Sequence, residues 1–315
     1  MTDVQPTANV PALRLVFLDR LRILAQIDIV SGHATGRYLF AGVGLPVFLI
    51  TSVAMCVRRP VPPTVRDAAA RRTRAVLVPW LFWSAAYIPF LLWREWRHGR
   101  PPLAVFEPTM LLYGPVIHLW FLPFILAANL TAVFLARRTL RLPIRRVIWA
   151  SATIGALTLL ACAYVRLRMP PVAPFGQWVF SIACIPLGMA LGRAISLDAP
   201  RWKTLIPIGM AAVIVLAVSA LSSTGATLEW GLLKRYGLAL LLIGGASVWA
   251  GQTDGITQML VRNSFGIYLV HPMVLMVAGE YSLAVPSVLV ETLLVWFASL
   301  LFVFFLRRTP LARLI

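Results

Sequence analysis

The stretch that decides the fold is Asp19-Arg20-Leu21-Arg22-Ile23-Leu24-Ala25-Gln26-Ile27-Asp28-Ile29-Val30-Ser31-Gly32-His33. Its apolar residues are typical of the first hydrophobic helix of a membrane protein, but arginine, glutamine, aspartate and histidine interrupt them. Such groups are costly in lipid. We therefore expect them to face the protein interior and to be functional.

The spacing of Arg22 and His33 strengthens this expectation. They are eleven residues apart, which is about 20° more than three helical turns, so they share one face with Gln26 between them. The rise along the axis is about 16 Å, roughly half of a hydrocarbon core. The helix should hold a fixed cation near one membrane surface and an imidazole deep inside. The alternative is a snorkelling arginine and a histidine buried in a structural hydrogen bond.

The composition predicts an all-α, polytopic transmembrane bundle. Of 315 residues, 60% are hydrophobic and 13% are charged, whereas a soluble domain has about 25% charged residues. The net charge of +18 raises the question of nucleic acid binding. We interpret the arginines instead as topology signals on loops, and we expect membrane lipid and no nucleic acid as partner.

Hydropathy predicts about ten spans, at residues 20–36, 38–57, 75–93, 111–136, 147–165, 175–193, 204–222, 236–251, 264–282 and 287–306. With the N-terminus inside, 21 of the 29 basic residues lie in cytoplasmic segments and 8 in outer ones. The excess predicts both termini in the cytoplasm. The expected organisation is a cytoplasmic tail (1–16), a transmembrane domain (17–308) and a second cytoplasmic tail (309–315).

The three cysteines, Cys56, Cys162 and Cys184, lie in apolar runs without a CxxC pattern or a histidine at ligand spacing. They are typical of core residues. We therefore predict no disulfide framework, no metal site and no permanently bound cofactor.

An arginine cluster, Arg71, Arg72 and Arg74, precedes Val78-Pro79-Trp80 at a predicted cytoplasmic helix entrance. Arginine suits phosphate recognition because its planar fork donates two parallel hydrogen bonds. An anchor that contacts anionic lipid is the alternative.

Two further segments combine histidine with aromatic residues. The first, His118-Leu119-Trp120-Phe121-Leu122-Pro123, is either part of a cavity or part of an interfacial aromatic belt. In the second, Ser264 to Pro272, the residues Ser264, Tyr268 and His271 form a polar stripe along one helix face. That stripe fits either a catalytic part or interhelical hydrogen bonding.

These segments together resemble the bacterial integral-membrane acyltransferase 3 family. An arginine, ten residues and a histidine in the first span match Arg22 and His33, and the arginine cluster before Pro79 is similar to the family's basic motif. The segment 118–122 resembles its Trp-Phe-Leu motif, and 264–272 its Gly-Ile-Tyr-Leu-x-His-Pro signature. All four occur in the expected order from residue 14 to residue 272.

The resemblance implies an enzyme of the bacterial inner membrane that moves an acyl group, most often acetyl, from cytoplasmic acyl-CoA to a hydroxyl of a cell-envelope glycan or related acceptor. It implies His33 and Arg22 as catalytic residues and Arg71, Arg72 and Arg74 as donor-binding residues. Gln26, His118, Trp120, Tyr268 and His271 are candidates for lining the substrate cavity. Two features depart from the family pattern: Thr51-Ser52 replaces Ser-Gly, and Asp28 stands at a position that is generally apolar.

Elementary chemistry agrees with this assignment, since acylation of an alcohol needs a base and neutral histidine suits that task. Histidine could instead act as the nucleophile and form an acyl-histidine. A cavity that reaches His33 from inside would admit the donor while the acceptor enters from outside. The competing interpretations are a transporter or flippase of an anionic lipid-linked substrate and a non-catalytic partner in polysaccharide assembly.

Overall fold

A computed structural model describes residues 15–58, 64–169, 171–197, 201–222, 228–249, 251, 254–281 and 287–315, with backbone only for 228–230. These residues form α-helices and short 3₁₀ helices and no β-strand. The α-helices are α1 (Val16–Thr35), α2 (Gly44–Val57), α3 (Val65–Arg97), α4 (Met110–Tyr113), α5 (Phe121–Arg138), α6 (Ile144–Arg168), α7 (Phe175–Ser181), α8 (Cys184–Ala194), α9 (Arg201–Leu221), α10 (Leu228–Val248), α11 (Gly255–Glu280) and α12 (Val288–Leu306).

The prediction of a transmembrane helical bundle is confirmed. Eight helical segments of the described chain are long and apolar enough to cross a membrane. They are Val65–Arg97, Ile117–Arg138, Ile144–Arg168, Phe175–Ala194, Arg201–Leu221, Gly231–Val248, Gly255–Glu280 and Val288–Leu306. With α1, which has the length of a span but carries charged side chains, and the shorter α2, the bundle has about ten spans.

Several predicted spans differ in extent from the helices. The second span is shorter than predicted, since α2 begins at Gly44 although the apolar run begins at residue 38. Gly36, Ala41 and Gly42 have positive φ angles of 68°, 57° and 74°, so the chain turns there before a helix can start. Conversely, α3 extends the predicted span 75–93 to 33 residues, and the predicted span 175–193 is divided into α7 and α8.

The buried carboxylate of Asp28 determines where α2 starts. Its Oδ2 accepts a hydrogen bond from the Gly44 amide at 2.8 Å, and its Oδ1 accepts one from the Phe40 amide at 2.7 Å. A carboxylate at a helix N-terminus satisfies amides that have no partner within the helix and interacts favourably with the helix dipole. Asp28 thus joins α1 to the start of the neighbouring helix α2.

Close helix packing explains three of the glycines. A Cβ on Gly44 would lie 2.2 Å from the Ala25 carbonyl oxygen, so only glycine lets α2 approach α1 this closely. Gly188 and Gly192, four residues apart on α8, make a similar contact with α2, where added Cβ atoms would lie 2.5 Å from Val53 Cβ and 2.6 Å from the Ala54 oxygen. Small residues at this spacing are typical of helix pairs in membranes.

Polar contacts show that α1, α3 and α11 run in the same direction. We call the end at which α1 begins the near end, and the opposite end the far end. At the near end, Arg20 pairs with Asp254, which precedes α11, at 2.9 Å. A hydrogen bond from the Thr257 amide and the contact with Arg20 hold the pKa of Asp254 below its usual range. At the far end, His98 after α3 lies 3.2 Å from Glu280 at the end of α11.

The segments that were predicted as tails differ in what is described of them. Residues 1–14 lie outside the described part of the chain. Residues 310–314 form a 3₁₀ helix that packs into the bundle, where the Trp83 indole donates a 3.1 Å hydrogen bond to the Leu314 carbonyl.

Candidate active site

Three imidazoles from distant parts of the chain converge. His33 lies in the last turn of α1, His118 in the 3₁₀ helix Ile117–Trp120, and His271 in α11. The ring centroids of His33 and His271 are 5.3 Å apart, and those of His118 and His271 are 5.9 Å apart. We call these three residues the histidine cluster.

The members of the cluster differ in accessibility. His271 and His118 are buried, with 0% and 5% of their surfaces exposed, whereas His33 is exposed. His33 is thus accessible, although it does not lie at the end of the bundle. It is in the last turn of α1, and its ring centroid is 5.3 Å from that of His271, which lies nine residues, or about 13 Å of helix rise, before the end of α11. His33 is the one member of the cluster that a substrate reaches directly.

Two tyrosines hold the buried part of the cluster. The Tyr268 hydroxyl donates a hydrogen bond to the His118 carbonyl, which ties α11 to the segment before α5. The Tyr87 hydroxyl donates to the Leu269 carbonyl at 2.8 Å, and its ring packs edge-on against His118 with 5.4 Å between centroids. Sequence reasoning missed Tyr87. The available signal was its position in α3 between two prolines, Pro79 and Pro89.

The hydrogen bond of His271 indicates its tautomer. Nδ1 lies 3.2 Å from the Ile267 carbonyl oxygen, which can only accept. We therefore assign the proton to Nδ1. Nε2 is buried and has no hydrogen-bond partner among the described residues. It is a free acceptor next to His33.

Arg22 lies away from the cluster on the same helix. It contacts Asp19 at 3.9 Å, and its guanidinium carbon is 5.7 Å from the centroid of the Phe48 ring. The rise along α1 separates it from His33 by about 16 Å.

A series of aromatic rings connects these two positions. Phe48 packs against Phe121 with 5.7 Å between centroids, and Phe121 packs against Tyr268 at 5.1 Å. Tyr268 in turn lies 5.9 Å from His271. We call Phe48, Phe121 and Tyr268 the aromatic wall. It forms a continuous ring-to-ring path from Arg22 to the histidine cluster.

Gln26 and Trp120, both proposed as cavity residues, lie beside this path and are buried. The Gln26 amide nitrogen donates to the Ser264 carbonyl, and its oxygen accepts from the Trp296 indole at 3.4 Å, so it joins α1 to α11 and α12. Trp120 packs against Phe124 with 5.6 Å between centroids, and Phe124 leads towards α7 and not towards the cluster.

The arginine cluster lies at the near end. Arg71 and Arg74 are exposed, Arg72 is partly buried, and all three lie in the first three turns of α3. Arg71 and Arg72 are close to Cys56 in the last turn of α2. The structure therefore places these side chains at the end at which α1 begins and separates them from His33 by most of the bundle.

The arrangement suits proton transfer at an accessible imidazole that buried groups orient. Although three imidazoles meet, no group of His, Cys, Asp or Glu side chains in the described ranges has the geometry to hold a metal ion. Asp28, the other buried ionisable group close to His33 in the sequence, has both oxygens engaged by backbone amides.

Comparison with known proteins gives one match. No curated protein and no solved structure matches the chain. Residues 15–308 match the sequence model of the acyltransferase domain family, acyltransferase 3. The match includes α1 to α12 and every residue of the histidine cluster, and it favours acyl transfer over transport or a non-catalytic role. Because the matched region is nearly the whole sequence, the chain belongs to the acyltransferase 3 family and is a multi-pass membrane acyltransferase.

Proposed function

We propose that this enzyme moves an acyl group, in the first place acetyl, from acyl-CoA to a hydroxyl of a cell-envelope glycan or related acceptor. The observation that carries the proposal is the exposed His33 backed by the buried, unpartnered Nε2 of His271. A base for an alcohol needs both access to the substrate and a fixed orientation. His33 is accessible, and a hydrogen bond to His271 Nε2 would fix its orientation.

The reaction uses the chain's own groups as follows. His33 takes the proton of the acceptor hydroxyl while the oxygen attacks the thioester carbonyl of the donor. The C–O bond forms, the C–S bond breaks, and the proton passes from His33 to the departing sulfur. The products are an ester and free CoA. No oxidant, reductant or further reactant is needed.

His271 acts as a positioning residue in this scheme. Its Nδ1 proton is held by the Ile267 carbonyl, so Nε2 is available to accept the N–H of His33. Such a bond leaves the other nitrogen of His33 with its lone pair towards the substrate. The hydrogen bond from Tyr268 to the His118 carbonyl keeps α11 and the segment before α5 together around this pair.

The donor is proposed to enter from the near end, which we assign to the cytoplasm of a bacterial inner membrane because acyl-CoA is cytoplasmic. Arg71, Arg72 and Arg74 bind its phosphates, and Arg22 provides a further cation along the path. The flexible arm that separates phosphates from thioester in acyl-CoA then lies along the aromatic wall. Its thioester reaches His33 without the phosphates entering the membrane core.

A covalent route through an acyl-histidine is the mechanistic alternative, with His33 attacking the thioester first. Only the covalent route forms an acyl-enzyme intermediate that can be trapped. Enzyme mixed with donor alone and quenched in acid would show an acyl mass on the peptide that contains His33 only in the covalent route.

The test of the proposed function is acyl transfer by the purified protein in nanodiscs. Radiolabelled acetyl-CoA is supplied with glycans from a cell envelope, and both free CoA and labelled glycan are measured. We expect CoA release to depend on the glycan and the label to appear in an alkali-labile ester. Acceptor-independent release, or label that stays on CoA with acetyl, succinyl and longer donors, would contradict the proposal.

A further inference from the structure

A cavity at the far end has no role in the scheme above. It has a volume of about 270 Å³. Its lining combines apolar and cationic side chains and includes Leu45, Arg166, Gly176, Gln177, Phe180 and Arg235. Because ligand pockets for drug-sized molecules have volumes of about 300–1,000 Å³, this cavity suits a single charged group or one sugar ring.

Arg166 and Arg235 make the lining of this cavity positively charged. Arg166 donates from Nη1 to the Gly176 carbonyl at 2.8 Å, which fixes its guanidinium at the start of α7. Neither Arg166 nor Arg235 forms an ion pair with any carboxylate whose side chain the structure describes. Two partly buried guanidiniums with no partner among the described carboxylates attract an oxyanion, and the fork of arginine matches a carboxylate or a phosphate.

The cavity is connected to His33 by one aromatic side chain. The guanidinium carbon of Arg235 lies 4.5 Å from the centroid of the Tyr38 ring. The same ring lies against Gly32, where an added Cβ would be only 2.2 Å from Tyr38 Cε1. Gly32 directly precedes His33. Tyr38 therefore contacts both Arg235 and the turn of α1 that carries His33.

Gly42 in the same loop makes the close approach of Arg235 possible. It has a φ of 74°, and a Cβ at this position would lie 2.8 Å from Arg235 Nε. A side chain at residue 42 would displace the Arg235 guanidinium. The turn before α2 therefore also determines where this guanidinium lies.

We propose that this cavity binds an anionic group, a carboxylate or a phosphate, of the acceptor, and thereby presents a hydroxyl of the same molecule to His33. The inference rests on the proposed function and narrows it, because it assigns an acidic glycan as the acceptor class. The charged group is held at Arg166 and Arg235, and the reacting hydroxyl lies on the other side of Tyr38.

The test measures the binding of small probes to the protein in phosphatidylcholine nanodiscs, with ligand-observed NMR as the readout. The acidic probes are methyl β-D-glucuronide and glucose 1-phosphate, and the neutral probe is methyl β-D-glucoside. We expect the acidic probes to bind and the neutral probe to bind at least tenfold more weakly, since one charge-assisted hydrogen bond corresponds to about a tenfold difference or more.

Matched variants locate the binding. Arg166→Gln and Arg235→Gln should each weaken the acidic probes about tenfold, because each removes a charged donor. Arg168→Gln and Lys234→Gln remove the same charge from exposed neighbours on the same helices, and they should change affinity less than about twofold. The selectivity of the wild-type protein for acidic over neutral probe needs no variant, so it decides the question even where a variant fails to fold.

Three results would overturn the inference. They are equal binding of acidic and neutral probes, no binding of either acidic probe, and equal losses in cavity and control variants. A lipid headgroup is the other source of a phosphate. If phosphatidylglycerol nanodiscs abolish acidic probe binding to the wild type, and these arginines are needed for lipid retention, the cavity is a lipid site. Acceptor-dependent CoA release is measured separately on the wild-type protein. If that release is absent while the acidic probes still bind, the proposed function is rejected and the cavity remains an anion-binding site.

Discussion

The Asp28 carboxylate accepts a 2.8 Å hydrogen bond from the Gly44 amide. This bond links the second half of α1 to the first residue of α2. The same carboxylate binds the Phe40 amide, so one side chain holds both the turn and the helix that follows it. Asp28 also departs from the apolar residue that is usual in the family. Its geometry assigns it a structural task.

Asp28→Leu should therefore destabilise the protein by about 2–4 kcal/mol, since it leaves two buried amides without an acceptor. Asp28→Asn keeps one acceptor oxygen and should cost roughly half as much. Thermal unfolding in detergent measures both, and the specific activity of the folded fraction should stay close to that of the wild type. Full stability of Asp28→Leu together with lost turnover would instead assign Asp28 to the chemistry.

His33→Gln should lower turnover by about 10²- to 10⁴-fold, because glutamine keeps hydrogen bonding but cannot act as the base. Donor binding, measured on the same samples by equilibrium dialysis of labelled acyl-CoA, should be unchanged. His98→Gln is the matched control, since His98 lies 3.2 Å from Glu280 at the far end and outside the cluster. Retention of more than about a tenth of the turnover would show that His33 is not the base.

His271→Leu should lower kcat by about 10- to 100-fold and leave both KM values unchanged, because it removes the acceptor that orients His33. The double variant with His33→Gln should be no slower than His33→Gln alone, since a positioning residue acts through the base. Additive losses, or a fall in kcat that only follows a fall in the folded fraction, would indicate a separate or purely structural role.

Arg74→Ala should raise the KM for the donor about tenfold or more and leave the KM for the acceptor unchanged, because one charge-assisted hydrogen bond to phosphate is lost. Arg71→Ala and Arg72→Ala should act in the same direction. Arg141→Ala, which removes an exposed arginine from the loop between α5 and α6, is the control. An unchanged donor KM in all three variants would make these arginines topology signals only.

Reporter fusions at residues 65, 140 and 315 should all report the cytoplasm. The reason is the excess of basic residues in the segments that connect the helices at the near end. A periplasmic signal at residue 315 would contradict the count of ten spans, and α10, which covers most of the predicted span 236–251, would be the first helix to reconsider.

The sequence was sufficient for the helical class and the approximate number of spans. The segments around His33, His118 and His271 indicated three imidazoles that the fold brings together. The contacts among them could not be predicted, because they join residues from distant parts of the chain. Hydropathy also could not show that α2 starts late, since left-handed residues such as Ala41 leave no trace in an apolar average.

The start of α1 illustrates the same limit. Helical periodicity predicted that Arg22 and His33 share a face, but hydropathy placed the start of the span at residue 20. The helix begins at Val16, before the charged residues Asp19 and Arg20. An average over apolar residues does not register a helix that starts ahead of charged side chains.

The short α2 has a consequence for the energetics of moving material across the bilayer. Its 14 residues span about 20 Å, less than the ~30 Å of a hydrocarbon core, so the turn that precedes it lies below the level of the neighbouring helix ends. Under the proposed function, the apolar layer that separates the two compartments is thinner at the position where the ester forms. The enzyme then performs vectorial chemistry: a small neutral acyl group changes compartments, and the highly charged nucleotide carrier never leaves its own.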